Sequence, residues 1–260
     1  MPRIRLDQLL VARALVPSRE RARALILAGD VLVAGAPSAK AGTLVDEVAE
    51  ITLRTPDHPY VGRGGIKLAH ALDVFGVDPS GAIALDIGAS TGGFTDVLLR
   101  RGARHVVAVD VGHHQLAWKL RQDPRVTCLE GLNARYLTED DLPNGMRRFG
   151  LVTIDVSFIS LRHILPVVPP LLGPGGPGGP GGRLVTLIKP QFEAGRRDVG
   201  PGGIVRDPAI HERVVADVTA AAAAVGLERV GLERSPIEGA EGNREFLACF
   251  RATASEPRNP

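Results

Sequence analysis

The sequence predicts an α/β protein in two parts, a small α+β module followed by a larger domain built on a seven-stranded, mostly parallel sheet. Three observations carry that prediction. Two short amphipathic patterns and then two strand-like runs occupy roughly the first fifty of the 260 residues. Past residue 82, strand-like and helix-like runs alternate, the pattern of a parallel sheet covered on both faces. The last two strands are joined by a short loop, which predicts an antiparallel end to the sheet.

In the first module, Leu6, Leu9, Leu10 and Arg13-Ala14 recur at helical spacing. Pro17-Ser18 breaks that helix, Ser18 is placed to cap a second over 19–28, and Gly29 to close it in the left-handed conformation. Strands are expected over 31–33 and 48–53, with a turn at Ala34-Gly35 and a linker-like break at 55–59. The expected boundaries are 1–60 for this module, 61–254 for the larger domain and 255–260 for a disordered tail.

In the larger domain the expected strands are 83–87, 105–110, 126–129, 151–155, 184–188, 228–233 and 245–251. Helices are expected over 93–101, 113–121, 161–172 and 208–225, the last with Asp207 as its cap and Pro208 at its first position. The Gly-Pro run over 173–182 is too short for a triple helix and reads as a surface loop. Trp118 is expected in the core, as are the thiols of Cys128 and Cys249, which lie in strand-like runs.

Composition excludes several classes. Two cysteines cannot form a disulfide scaffold or a four-cysteine zinc site, and no third ligand is spaced to join His113-His114, so no metal is expected. The N-terminus lacks the apolar core of a signal peptide, and the longest uncharged run is broken by Pro and Gly, so a cytoplasmic protein without a membrane span is expected. A monomer is the expected state. The net charge is only +2, yet residues 1–25 hold six arginines against Asp7 and Glu20. That basic end suits a polyanion, with Arg3, Arg5, Arg13, Arg19 and Arg23 as candidate RNA contacts, Arg19 and Arg23 sharing one helix face.

The chemistry sits at strand ends. The first strand of the larger domain runs out through Asp86, Gly88, Ser90, Thr91, Gly92, Gly93 and Phe94, small residues that let a ligand approach a helix N-terminus. Asp110, 22 residues past Gly88, ends the next strand, where an acid can accept both hydroxyls of a ribose. Ser90 occupies the middle glycine's place in a dinucleotide fingerprint, and Asp86 adds a carboxylate for a cationic amino-acid end, so S-adenosylmethionine is favoured over a nicotinamide cofactor. Asn133 joins the candidate cofactor contacts. Asp155 and Lys189 end the fourth and fifth strands, with Lys67 before the sheet and Glu245 at its last strand. Two lysines and two acids around a methyl-donor pocket point to deprotonation of a hydroxyl, since a second ammonium nearby lowers a lysine's pKa.

The stretch holding Lys67, Asp155, Lys189 and Glu245 resembles the K-D-K-E tetrad of the FtsJ-like ribose methyltransferases, a Rossmann-like class I fold. The whole chain is similar to the TlyA family through Arg5-Leu6-Asp7 to Leu10, Ser18-Arg19, 28–31, 62–68, 86–96, 110–120, 155–161 and 189–192. That resemblance implies an RNA-binding domain like that of ribosomal protein S-four. It also implies methylation of cytidine ribose 2′-hydroxyls in ribosomal RNA or ribosomal subunits, with an effect on susceptibility to capreomycin-type antibiotics. It gives Lys189 the part of base or steering cation, with Lys67, Asp155 and Glu245 around it, and Asp155 near the methyl. The alternatives are a membrane-acting haemolysin, for which no amphipathic or apolar span is visible, and a nicotinamide-dependent dehydrogenase.

Overall fold

In the computed structural model, all residues are described except 1, 28, 39, 54–57, 144–145, 174–180, 240–241 and 254–260. The expected tail therefore lies outside the described residues, as does most of the Gly-Pro loop. Contacts divide the chain into two units, Met1–Pro59 and Tyr60–Pro260.

In the first unit, β1 (Arg3–Arg5) leads into α1 (Leu6–Ala12) and α2 (Arg19–Leu27). Leu6, Leu9 and Leu10 bury against Ala22, Leu25 and Ile26, which is why two such short helices hold. Ser18 Oγ accepts the Arg21 amide at 3.1 Å as the cap of α2, and Gly29 follows it at φ 73°. β2 (Val31–Val33), β3 (Ala36–Pro37), β4 (Leu44–Asp46) and β5 (Ile51–Leu53) complete the unit. β2 pairs with β3 and β5, and β1 pairs with β4, all antiparallel. The strand expected from residue 48 begins only at Ile51, because Asp46 Oδ1 accepts the Val48 amide and turns the chain there.

The second unit opens with α3 (Gly64–Phe75), then β6 (Ile83–Ile87), α4 (Gly93–Arg100), β7 (His105–Asp110), α5 (Trp118–Arg121), β8 (Val126–Glu130) and β9 (Leu151–Ile154). β10 (Arg183–Ile188), α6 (Pro190–Glu193), α7 (Pro208–Ala224), β11 (Leu227–Arg234) and β12 (Phe246–Ala252) follow. The sheet order is β11-β12-β10-β9-β6-β7-β8, parallel from β8 to β10 and antiparallel at β12 and β11. Apolar side chains bury on both faces of it, with Leu85, Ile87, Val152 and Ile154 on one side and Ala84, Val106, Val185 and Leu187 on the other. The strand order reverses between β6 and β9, so the crevice at their carboxyl ends is the place for a ligand.

Further expectations change in the second unit. The helix expected over 113–121 shrinks to α5, and Trp118 is 73% exposed rather than core, because Leu116 and Leu120 take the inward positions. The helix expected over 161–172 is three short 3-10 turns, since Pro166, Pro169 and Pro170 each lack an amide donor. α3 was not among the expected helices at all. Cys249 is buried and its thiol is pushed up to about 11 by burial; Cys128 is partly buried and its thiol is raised for the same reason. Among the described residues no helix is long and apolar enough to cross a membrane.

Candidate active site

Gly88 turns the chain at the end of β6 with φ 85°, and a Cβ there would meet the Asp155 carbonyl oxygen at 2.5 Å. Glycine is therefore required where β6 passes β9. A Cβ on Gly93 would lie 2.9 Å from the Gly65 amide nitrogen, so α3 and α4 begin against each other backbone to backbone. This approach carries Lys67, on the first turns of α3, to the edge of the sheet.

Two cavities open at that edge, about 580 and 320 Å³, and both are lined by Gly88, Ser90, Asp155, Ser157 and Phe158. Lys67, Lys189 and Glu245 line the larger, while Asp110 and Asn133 line the smaller. The four tetrad residues thus face one cavity, although they come from α3, the end of β9, the end of β10 and the start of β12. They are arranged as two pairs. Lys67 Nζ donates to Glu245 Oε2, with both side chains buried. Lys189 Nζ lies 2.7 Å from Asp155 Oδ1 and donates to Ser157 Oγ at 2.9 Å.

Asp110 is placed by the backbone: its carboxylate accepts the Ser90 amide on one oxygen and the Gly112 amide on the other, each at 2.7 Å. Asp86 stands apart. Its carboxyl is fully buried, accepts the hydroxyls of Thr95 at 2.7 Å and Thr153 at 2.9 Å, and lines neither cavity. Burial pushes this carboxyl up to about 6, against the lowering effect of the two threonines. Thr91, Gly93 and Phe94 line the larger cavity; Gly92 instead packs on Leu116 and Leu120.

Several residues at the site were not among the expected site residues. Asn243, 1% exposed, accepts the Val205 amide at 3.0 Å and donates to the Gly203 carbonyl at 2.9 Å, which fixes the loop before Glu245. Glu193 on α6 accepts the Leu161 amide at 2.7 Å and the Ser160 hydroxyl at 2.5 Å, tying the loop after β9 to the one after β10; burial raises its pKa. Phe158 lies at the mouth of both cavities, 90% exposed, at φ 64°, with its ring 5.1 Å from that of Phe192. A strained, exposed aromatic is legible as a site feature only once the fold has placed it.

In the first unit, the candidate arginines separate. Arg5, Arg19 and Arg23 all donate to Asp7. Arg13 instead donates to the carbonyls of Ala49 and Glu47, and Arg3 lies exposed on β1.

A doubly wound sheet of this order, with joined cavities at its switch point and paired lysines and carboxylates on their walls, defines a Rossmann-like methyltransferase domain. The model of the FtsJ-like methyltransferase family matches residues 60–252, and an S4 domain model matches 4–51. The chain belongs to the FtsJ-like methyltransferase family, with an S4 domain before the methyltransferase domain. It is 49% identical to the Bacillus subtilis protein YqxC, described as a candidate rRNA methyltransferase, over 94% of this chain and 84% of that one. It is 46% identical to the 16S/23S rRNA (cytidine-2′-O)-methyltransferase TlyA of Mycobacterium tuberculosis, over 96% of this chain and 90% of that one. A solved structure from Streptococcus thermophilus, described as a hemolysin candidate, is 46% identical and superposes with a TM-score of 0.74, covering 98% of this chain and 90% of that one.

Proposed function

We propose that this protein is a cytoplasmic enzyme that methylates the ribose 2′-hydroxyl of cytidine in ribosomal RNA, using S-adenosylmethionine. The observation that carries the reading is the pair of lysine–carboxylate contacts on the wall of one cavity, joined to a second cavity that holds Asp110 and Asn133. Similarity to relatives named for this reaction supports it. An influence on capreomycin-type susceptibility belongs to the same reading.

The residues fit the cofactor. Gly88 lines both cavities, and the backbone-held Asp110 offers its carboxylate to a ribose diol beside Asn133. When bound, S-adenosylmethionine supplies a methyl group already activated on a sulfonium. The protein's task is then to align the 2′-oxygen and remove its proton. Lys189 is suited to that. Asp155 Oδ1, 2.7 Å away, and Ser157 Oγ, which accepts from it at 2.9 Å, hold the Lys189 nitrogen on the cavity wall, where it is placed to take the hydroxyl proton or to steer the developing oxyanion. Lys67, neutralised by Glu245, adds a donor to the wall without adding net charge.

Purified ribosomal subunits lacking the modification, incubated with the protein and S-adenosylmethionine, should gain 2′-O-methylcytidine on mass-spectrometric mapping. Ribose methylation absent from both subunits would overturn the reading, and leakage of liposomes at low protein concentration would favour the haemolysin.

A further inference from the structure

We propose that Asp7 is a positioning residue that assembles Arg5, Arg19 and Arg23 into one site for a phosphodiester of the RNA backbone. The inference rests on the RNA reading above and assigns one locus of that contact. Asp7 lies on the first turn of α1 with its side chain 0% exposed. It accepts Arg5 Nε and an Arg5 terminal nitrogen at 3.0 and 3.1 Å, an Arg19 terminal nitrogen at 3.0 Å and Arg23 Nε at 3.3 Å. The guanidiniums come from β1 and from successive turns of α2, so two elements converge on a carboxylate carried by a third.

One cation would neutralise Asp7. Three leave the cluster at +2, and their side chains stay 40%, 47% and 54% exposed. Three guanidiniums this close repel one another, a cost that stability alone gives no reason to bear, because a buried ion pair is a weak stabiliser. Each guanidinium has five donors. Asp7 takes two from Arg5 and one each from Arg19 and Arg23, so most of the donors are not used by Asp7. A phosphate presents several acceptor oxygens at once, and planar guanidinium forks match it. The hydrogen bonds from Arg5 first, then those from Arg19 and Arg23, hold the Asp7 carboxyl well below the usual carboxylate range, so the hub stays charged wherever RNA is intact.

Net charge and preassembly predict opposite results for Asp7→Asn in the full-length protein. By charge alone the cluster goes from +2 to +3, so a labelled ribosomal RNA transcript should bind more tightly and with a steeper salt dependence. If Asp7 positions the arginines, the transcript binds about tenfold more weakly despite the added charge, and the salt slope does not steepen. Thermal melting checks that the variant is folded. Should it not fold, Arg5→Lys with Arg19→Lys decides the matter. Charge is kept and the forks are lost, so weaker binding supports the site and unchanged binding overturns it. Tighter binding by a folded Asp7→Asn also overturns it. Wild-type protein that shows no salt-dependent binding would instead sink the RNA reading itself.

Discussion

Lys67 and Glu245 meet as an ion pair across 178 positions of sequence, with 8% and 3% of their side chains exposed. The contact joins α3 to the residue that enters β12, the two ends of the methyltransferase domain. A buried charge that loses its partner typically costs about 3–5 kcal/mol, so this pair anchors both the wall of the cavity and the fold.

Glu245→Ala should therefore lower single-turnover methylation by about 100-fold or more, the scale of a lost acid–base contribution, and should lower the melting temperature as well. Glu238→Ala should leave both within about twofold of wild type, because Glu238 is exposed and lines neither site cavity. Glu241 lies outside the described residues. Equal losses in the Glu238 and Glu245 variants would show that the wrong carboxylate had been chosen.

Asp110→Ala should weaken S-adenosylmethionine binding by about 1.5–3 kcal/mol, the worth of hydrogen bonds to a charged group. Part of that loss would come from the Ser90 and Gly112 amides, which Asp110 holds in place. Calorimetric titration is the check, and an unchanged affinity removes Asp110 from the cofactor site.

Phe158→Ala should weaken the RNA-dependent step while sparing cofactor affinity. An exposed ring over the cavity mouth, braced by Phe192, is placed to stack on a nucleobase, and such stacking is worth about 1–3 kcal/mol. The expected signature is a fall in kcat/KM for ribosomal RNA of about fivefold to a hundredfold. If methylation at low RNA concentration proceeds at the wild-type rate, the ring has no part in substrate capture.

Asp86 predicts a pH signature. Its carboxyl titrates at about 6 in the fold against 3.8 ordinarily, so the folded state binds the proton more tightly than the unfolded chain. Its contribution to stability therefore falls as pH rises from about 4 to about 6 and is lower by on the order of 2–3 kcal/mol above that window. Asp86→Asn should flatten this slope relative to wild type in thermal melts from pH 4.5 to 7.5. Parallel melting curves would mean that the buried carboxyl does not titrate there.

Glu193→Ala should release the loop after β9 from α6 and lower kcat more than it raises the KM for cofactor. Glu193→Gln should recover most of the rate, because its amide can still accept from Leu161 and donate to Ser160. A glutamine variant as impaired as the alanine one would assign Glu193 to charge and not to position.

Much of this was legible in residue spacing. β6, β7 and β10 carry apolar runs long enough to be unmistakable, and Asp207-Pro208 marks the start of α7 by cap chemistry that acts within one turn. α3 escaped notice because Gly64-Gly65 opens it, and glycines ordinarily argue against a helix. Gly65 is there because a Cβ would meet the Tyr60 side chain at 2.4 Å, a contact the spacing of apolar residues does not reveal. Trp118 misled for a related reason: size argues for burial, but four residues of helix have one inward face, and Leu120 occupies it.

By itself the sequence determined the alternation of strands and helices past residue 82, the glycine turn at Gly88 and the candidate residues for the chemistry, because periodicity, caps and turn residues act over a few positions. What the tertiary structure alone decided is pairing. Lys67 is bound to Glu245 and Lys189 to Asp155, Asp86 is drawn away from the cavities onto Thr95 and Thr153, and three arginines close on Asp7. Electrostatic partners are chosen by distance and burial, and both exist only after the strands and helices have packed.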